Sequence, residues 1–221
     1  MPIFDTHAHY DADRFDSDRD ALLSAMPGVG VGLVLDPGCD LPSSRAAAEL
    51  AERYPHVYAA VGIHPENCGD FRPEDLDAIR ALAREDKVVA IGEIGLDYYW
   101  PENPPRPLQQ QVLRSQLALA RELDIPVTMV TDTYQFPMGQ AMLTVYPPVG
   151  AGDLNEQGLT FLCSAGDFDA LITGDMAGNT EKKLVERFDL PDIEVLVVGH
   201  HGSRYSSTDA FLQQVRPETA I

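Results

Sequence analysis

Cysteine, positive charge and long apolar runs are all in short supply in this chain, and each shortage excludes a class of protein. The three cysteines, Cys39, Cys68 and Cys163, are scattered and odd in number. They do not suit a disulfide framework or a zinc knuckle, and read as free thiols in a reducing compartment. Sixteen lysines and arginines face 35 aspartates and glutamates, for a formal charge of −19. Residues 1–130 hold 11 basic and 22 acidic side chains, and residues 131–221 hold 5 and 13, so both halves share the deficit. Neither half has a basic stripe. That argues against a stable basic nucleic-acid-binding surface and against tight, sequence-independent duplex binding. No apolar run approaches the ~20 residues that cross a bilayer. Acids at Asp5, Asp11 and Asp13, with no basic n-region, leave no visible signal peptide. The expectation is a cytoplasmic protein without a membrane segment.

What is present is ordinary globular material. Hydrophobic residues make up 44% of 221, enough for a sizeable core in one or two domains. Residues 1–130 read as repeated βα units. Apolar runs at Val31–Leu35, Val57–Val61, Val88–Ile91 and Ile125–Val130 alternate with helical periodicity at Ser17–Met26, Pro42–Tyr54, Pro73–Glu85 and Leu108–Leu123. Such alternation implies a parallel sheet with right-handed crossovers.

Polar residues gather where the strands end. Ile3 and Phe4 lead into Asp5-Thr-His-Ala-His9. On a strand, residues two apart point the same way, so His7 and His9 can face one metal. His64 follows Ala59–Ile63 and Glu93 follows Val88–Ile91, at the strand ends where barrels of this kind hold their chemistry. A carboxylate at Glu93 would complete a mixed nitrogen and oxygen site with open positions for water. Gly92 and Gly95 flank Glu93 and suggest a close backbone approach there.

These segments carry a resemblance. Phe4-Asp-Thr-His-Ala-His-Tyr10, Gly62-Ile-His-Pro-Glu66, Gly92-Glu-Ile-Gly-Leu-Asp-Tyr-Tyr99 and the stretch Gln111 to Val127 look like the signature segments of the TatD family of metal-dependent deoxyribonucleases. The resemblance implies that His7 and His9 bind one metal and that Glu93 bridges two. It places His64 near the substrate phosphate. The likeness covers about half a barrel. The family's next metal-binding His falls where this chain reads Thr128-Met-Val-Thr-Asp132, and no histidine occurs between His64 and His200. A half barrel also leaves an open sheet edge, which implies possible self-association.

From about Met142 the pattern changes to short strands and tight turns. Strand-like runs at Met142–Tyr146, Leu159–Cys163 and Ala170–Thr173 precede a helix near Thr180–Phe188, a strand at Val195–Val198 and a helix near Thr208–Val215. Asn179 or Thr180 could cap the first helix, and Ser207 or Thr208 the second. Leu171-Ile-Thr-Gly-Asp175 and Val195-Leu-Val-Val-Gly-His-His-Gly-Ser203 resemble the metallo-β-lactamase-fold domain of ComEC-type competence proteins. By that resemblance Asp175 bridges two metals, His201 (alternatively His200) is a second-metal ligand, and Ser203 touches substrate. The ligand motif of that fold's first half is absent.

The expected fold is therefore α/β. A partial TIM-barrel-like (βα) half over 1–130 is joined to a partial metallo-β-lactamase-like αβ half over 131–221, in the manner of a chimera. The expected function is divalent-metal-dependent phosphodiester hydrolysis with one or two zinc, manganese or magnesium ions, acting on DNA or a small phosphodiester. Glu93, His64 and Asp175 are the candidate catalytic residues. The competing expectation is a non-catalytic fragment with incomplete metal sites.

Overall fold

A computed structural model describes residues 3–150 and 155–221. The chain divides into two compact units, Met1–Val127 and Thr128–Ile221.

In the first unit four strands, β1 (Ile3–Asp5), β2 (Val31–Pro37), β3 (Val57–Val61) and β4 (Val88–Ile91), form a sheet in sequence order. Each neighbouring pair is parallel. The crossovers carry α1 (Arg19–Ala25), α2 (Leu41–Arg53) and α3 (Asp75–Leu82), and α4 (Arg106–Glu122) follows β4. Small side chains set the close packing of α2 on β3. Ala47, Ala48 and Ala51 are buried on the helix, facing buried Val57, Ala59 and Val61 in the same core. The start of α2 is fixed by Asp40, whose carboxylate accepts from Ser43 N–H at 2.8 Å while Ser43 Oγ accepts from Asp40 N–H at 2.9 Å, a reciprocal cap.

Two buried polar residues close the end of β3. Ser44 Oγ accepts from Gly62 N–H at 3.1 Å and donates to Gly62 O at 3.2 Å. The Gln116 amide does the same for Ile63, at 2.7 and 3.0 Å. A buried backbone group left without a partner is costly, and these side chains supply partners beyond the last residue of β3.

The expected strand at Ile125–Val130 does not form; those residues have no regular structure. Ile125 N–H bonds back to Ala120 O at 2.9 Å, at the end of α4. The run pairs with no strand, and Met129 is 79% exposed. An apolar run becomes a strand only with a neighbour to take its hydrogen bonds, and the sheet stops at β4.

The second unit is a six-stranded mixed sheet with the order β10-β9-β8-β7-β6-β5. An antiparallel meander, β5 (Tyr134–Met138), β6 (Ala141–Tyr146), β7 (Thr160–Ala165) and β8 (Phe168–Ile172), leads through α5 (Gly178–Arg187) to β9 (Val195–Val197). After α6 (Asp209–Val215) comes the short β10 (Thr219–Ala220), and β8, β9 and β10 are parallel. The sequence reading missed β5, because Pro137 interrupts its pattern. As the terminal strand it tolerates a proline, and Gly139 at φ +64 turns it tightly into β6. Neither expected cap of α5 is its N-cap residue, which is Ala177; Thr208 is the N-cap residue of α6, but its hydroxyl donates to Glu181 Oε2 at 3.0 Å and caps no helical N–H.

Candidate metal centre

The carboxyl ends of β1 to β4 bring four polar segments to one side of the first unit's sheet. β1 stops at Asp5, so His7 and His9 lie on the following loop and not on the strand that the two-residue spacing suggested. The loop is held extended by Ala8 N–H, which donates to Leu35 O at 3.1 Å. The Arg19 guanidinium then clamps it, donating to the carbonyls of Tyr10, Asp11 and Ala12 at 2.6, 2.9 and 2.9 Å. Glu93 follows β4, and its N–H donates to Gly38 O at 2.8 Å, tying it to the end of β2.

Three donors converge. His7 Nε2 lies 3.5 Å and His9 Nε2 3.7 Å from the same oxygen, Glu93 Oε2. The two imidazoles are 5.0 Å apart between ring centres and inclined at 79°. Donors bound tetrahedrally at about 2.0–2.2 Å from a zinc ion stand roughly 3.3–3.6 Å apart. The observed separations fall within a few tenths of an ångström of that. Two imidazole nitrogens and a carboxylate are also a donor set that suits a borderline divalent ion. The residues fit the metal that the sequence implied.

Several participants were not legible in the sequence. The Cys39 thiol donates to Glu93 Oε2 at 3.7 Å; burial, then the Glu93 charge beside it, push this thiol up to about 12. Behind His9, Asp11 Oδ1 lies 4.0 Å from Nδ1. Asp11 N–H donates to Asp36 Oδ2 at 3.1 Å, and Asp36 is fully buried near the end of β2. Burial first, then the neighbouring Asp11 charge, push the Asp36 carboxyl up to about 8. Asp11 Oδ1 and Asp36 Oδ1 are both buried without a hydrogen-bond partner. The one available signal for Asp36 was an acid inside the apolar run Val34–Pro37.

His64 joins the same end of the sheet. Its N–H donates to Cys39 O at 2.8 Å, and its Nδ1 accepts from Glu66 N–H at 3.3 Å, which leaves Nε2 free to meet a ligand. The close approach expected around Glu93 is present at Gly92 and absent at Gly95. A Cβ on Gly95 would meet nothing within 4 Å, whereas one on Gly62 would stand 2.9 Å from the Gly92 carbonyl carbon. The close approach is between the ends of β3 and β4.

In the second unit, His201 Nε2 lies 3.5 Å from Asp175 Oδ1. His200 and His201 both take left-handed conformations, at φ 52 and 55. Among the described residues no third donor joins that pair in a metal-sized group. Ser203 Oγ accepts from Tyr205 N–H at 3.3 Å within the same turn.

Comparison with known proteins covers the first unit. The family model described as TatD related DNase matches residues 4–131. A Bacillus subtilis protein named as an uncharacterized metal-dependent hydrolase, YabD, is 41% identical over 125 residues, covering 57% of this chain and 49% of its own length. The 3'-5' ssDNA/RNA exonuclease TatD of Salmonella typhimurium is 37% identical over 127 residues, covering 58% and 48%. The crystal structure of the TatD homologue YjjV from Escherichia coli superposes with a TM-score of 0.52 at 36% identity, covering 57% and 49%. The chain thus spans about half the length of the curated relatives it matches. Four parallel βα units, a converging His-His-Glu set and a family match over more than half of the residues agree: this chain belongs to the TatD family.

Proposed function

We propose that the first unit is a divalent-metal-dependent hydrolase centre acting on the phosphodiesters of single-stranded nucleic acid. The observation that carries this is the convergence of His7 Nε2 and His9 Nε2 on Glu93 Oε2 at 3.5 and 3.7 Å. A divalent ion, when bound, supplies acidification of water and neutralisation of phosphoryl charge. The chain's residues do the rest. His7 and His9 would hold the ion as neutral imidazoles, and Glu93 would offer the carboxylate. The protonated Cys39 thiol orients that carboxylate by donating to Oε2. His64 presents Nε2 toward a phosphate oxygen. The single-stranded substrate is carried over from the exonuclease relative, and it suits a chain of charge −19 that gains little from duplex phosphates.

Glu93→Gln keeps the size of the side chain and removes its charge. It is expected to lower hydrolysis of a single-stranded oligonucleotide with manganese by at least about 100-fold, the scale of losing a charged group at such a centre, and to weaken ion retention. Turnover unchanged in this variant would reject the assignment. Ions retained without turnover in the parent chain would favour the non-catalytic fragment.

A second reading concerns residues 131–221. The 3.5 Å approach of His201 to Asp175 favours a metallo-β-lactamase-like half-site of the ComEC type, with His200 at the same turn. If it binds, the same ion count shows a residual ion in Glu93→Gln that is lost on adding Asp175→Asn. No difference between those two counts removes this reading.

A further inference from the structure

The loop between β4 and α4 carries a cleft that the hydrolytic centre does not use. It encloses about 260 Å³ and is lined by Tyr98, Trp100, Pro101, Pro104, Pro105 and Arg106, among others. Trp100 is 51% and Tyr99 75% exposed, and the two rings meet edge to face at 4.7 Å and 89°. The cleft is built rather than slack. Buried Gln109 on α4 accepts from Asp97 N–H at 2.8 Å and donates to the carbonyls of Asp97 and Pro104, each at 2.8 Å. One side chain thereby fixes both ends of the loop.

The charges of the cleft nearly cancel. Asp97 lines it, and its Oδ1 is committed to Tyr99 N–H at 2.8 Å. Among the described residues the Arg106 guanidinium makes no ion pair; it lies 4.4 Å over the Tyr98 ring. Arg106 also opens α4, which has no side-chain cap, so the positive end of a 17-residue helix adds to its field. A flat exposed indole and a cation without a carboxylate partner are the elements of a base-and-phosphate subsite, and prolines wall this one. Stacking needs no net positive charge, and this acidic chain has none to offer. Tyr98 is five residues from Glu93, at most about 18 Å along the chain, so a strand held there reaches the metal centre.

We propose that this cleft binds one unpaired nucleobase of a single strand, stacked on Trp100, with the adjoining phosphate on Arg106. The inference deepens the nuclease reading and rests on it for the choice of ligand.

Trp100 is the only tryptophan beside eight tyrosines, so emission excited at the red edge, where tyrosine does not absorb, reports this cleft alone. The full chain, held in chelator so that nothing is cut, is titrated with a short oligothymidylate. Saturable quenching is expected, and neither an abasic strand of equal length nor a blunt duplex should reproduce it. The affinity should fall with salt at a logarithmic slope of about −0.7, one phosphate's worth, and Arg106→Ala should flatten that slope. Trp100→Ala, followed by anisotropy of a labelled strand, should weaken binding about 5- to 150-fold. Emission that stays silent while the labelled strand binds, or equal quenching by the abasic strand, overturns the proposal. The two readings fail separately. Glu93-dependent hydrolysis with silent Trp100 rejects the cleft and keeps the nuclease, while quenching without hydrolysis does the reverse.

Discussion

At the scale of single residues, the sharpest feature of the first unit is a carboxyl group with no compensating cation among the described residues. Asp36 is fully buried beside Asp11, while the nearby Arg19 spends its donors on backbone carbonyls and Asp16. Burial and the Asp11 charge raise its pKa to about 8. The sign of the linkage follows from that direction. Below the ordinary carboxylate range the group is protonated in both the folded and unfolded chain and costs nothing. Between that range and about 8, the folded state keeps a proton that the unfolded state has released. Stability therefore falls with rising pH, at up to about 1.4 kcal/mol per unit for one proton, and levels off above. Asp36→Asn removes the proton and supplies an amide that can donate to the unpartnered Asp11 Oδ1. Urea midpoints between pH 5 and 8 should decline for the parent chain and stay nearly flat for the variant. An equally steep decline in both would place the titrating group elsewhere.

At the scale of elements, the junction of β2 and α2 couples packing to the candidate metal centre. A Cβ on Gly38 would stand 2.5 Å from Ser44 Cα and 2.6 Å from its nitrogen, backbone atoms that α2 cannot move cheaply. Gly38 O also receives the Glu93 N–H. Gly38→Ala should cost roughly 1–3 kcal/mol, as overpacking does, and weaken ion binding at the same time. Gly95→Ala, with open space around it, should do neither. Thermal unfolding and metal titration on the two variants distinguish this coupling from a general glycine effect. Such junctions also mark the limit of sequence reading. The elements α2 and α4 were legible because their apolar faces repeat at helical spacing, and β3 and β4 because short apolar runs end in polar residues. His7, His9 and Glu93 were legible because strand ends order them before any contact is known. Cys39, Asp36, Gln109 and Gln116 were not, because each acts on a partner 12 to 54 residues away. Ile125–Val130 misled for the opposite reason, since its local pattern is that of a strand and only the missing neighbour decides otherwise.

At the scale of the whole molecule, two terms oppose each other. β1 and β4 each have one sheet neighbour, and Ile3, Phe4 and Val89 on them are 59%, 51% and 50% exposed. Exposed apolar strands with free backbone groups pair with other chains. Against this stands the charge of −19, which keeps like molecules apart. The two respond differently to salt. Repulsion between exposed charges is screened beyond a Debye length, about 30 Å at 0.01 M and about 8 Å at 0.15 M, whereas strand pairing and apolar contact survive. The chain is therefore expected to self-associate more as ionic strength rises, the reverse of an association held by ion pairs. Light scattering behind size exclusion should show mass above one chain appearing with salt and protein concentration. Phe4→Lys, which places a charge on the open edge of β1, should restore the single-chain mass. A single-chain mass at every salt concentration would mean that these edges do not pair, and association that fades with salt would trace it to charge instead.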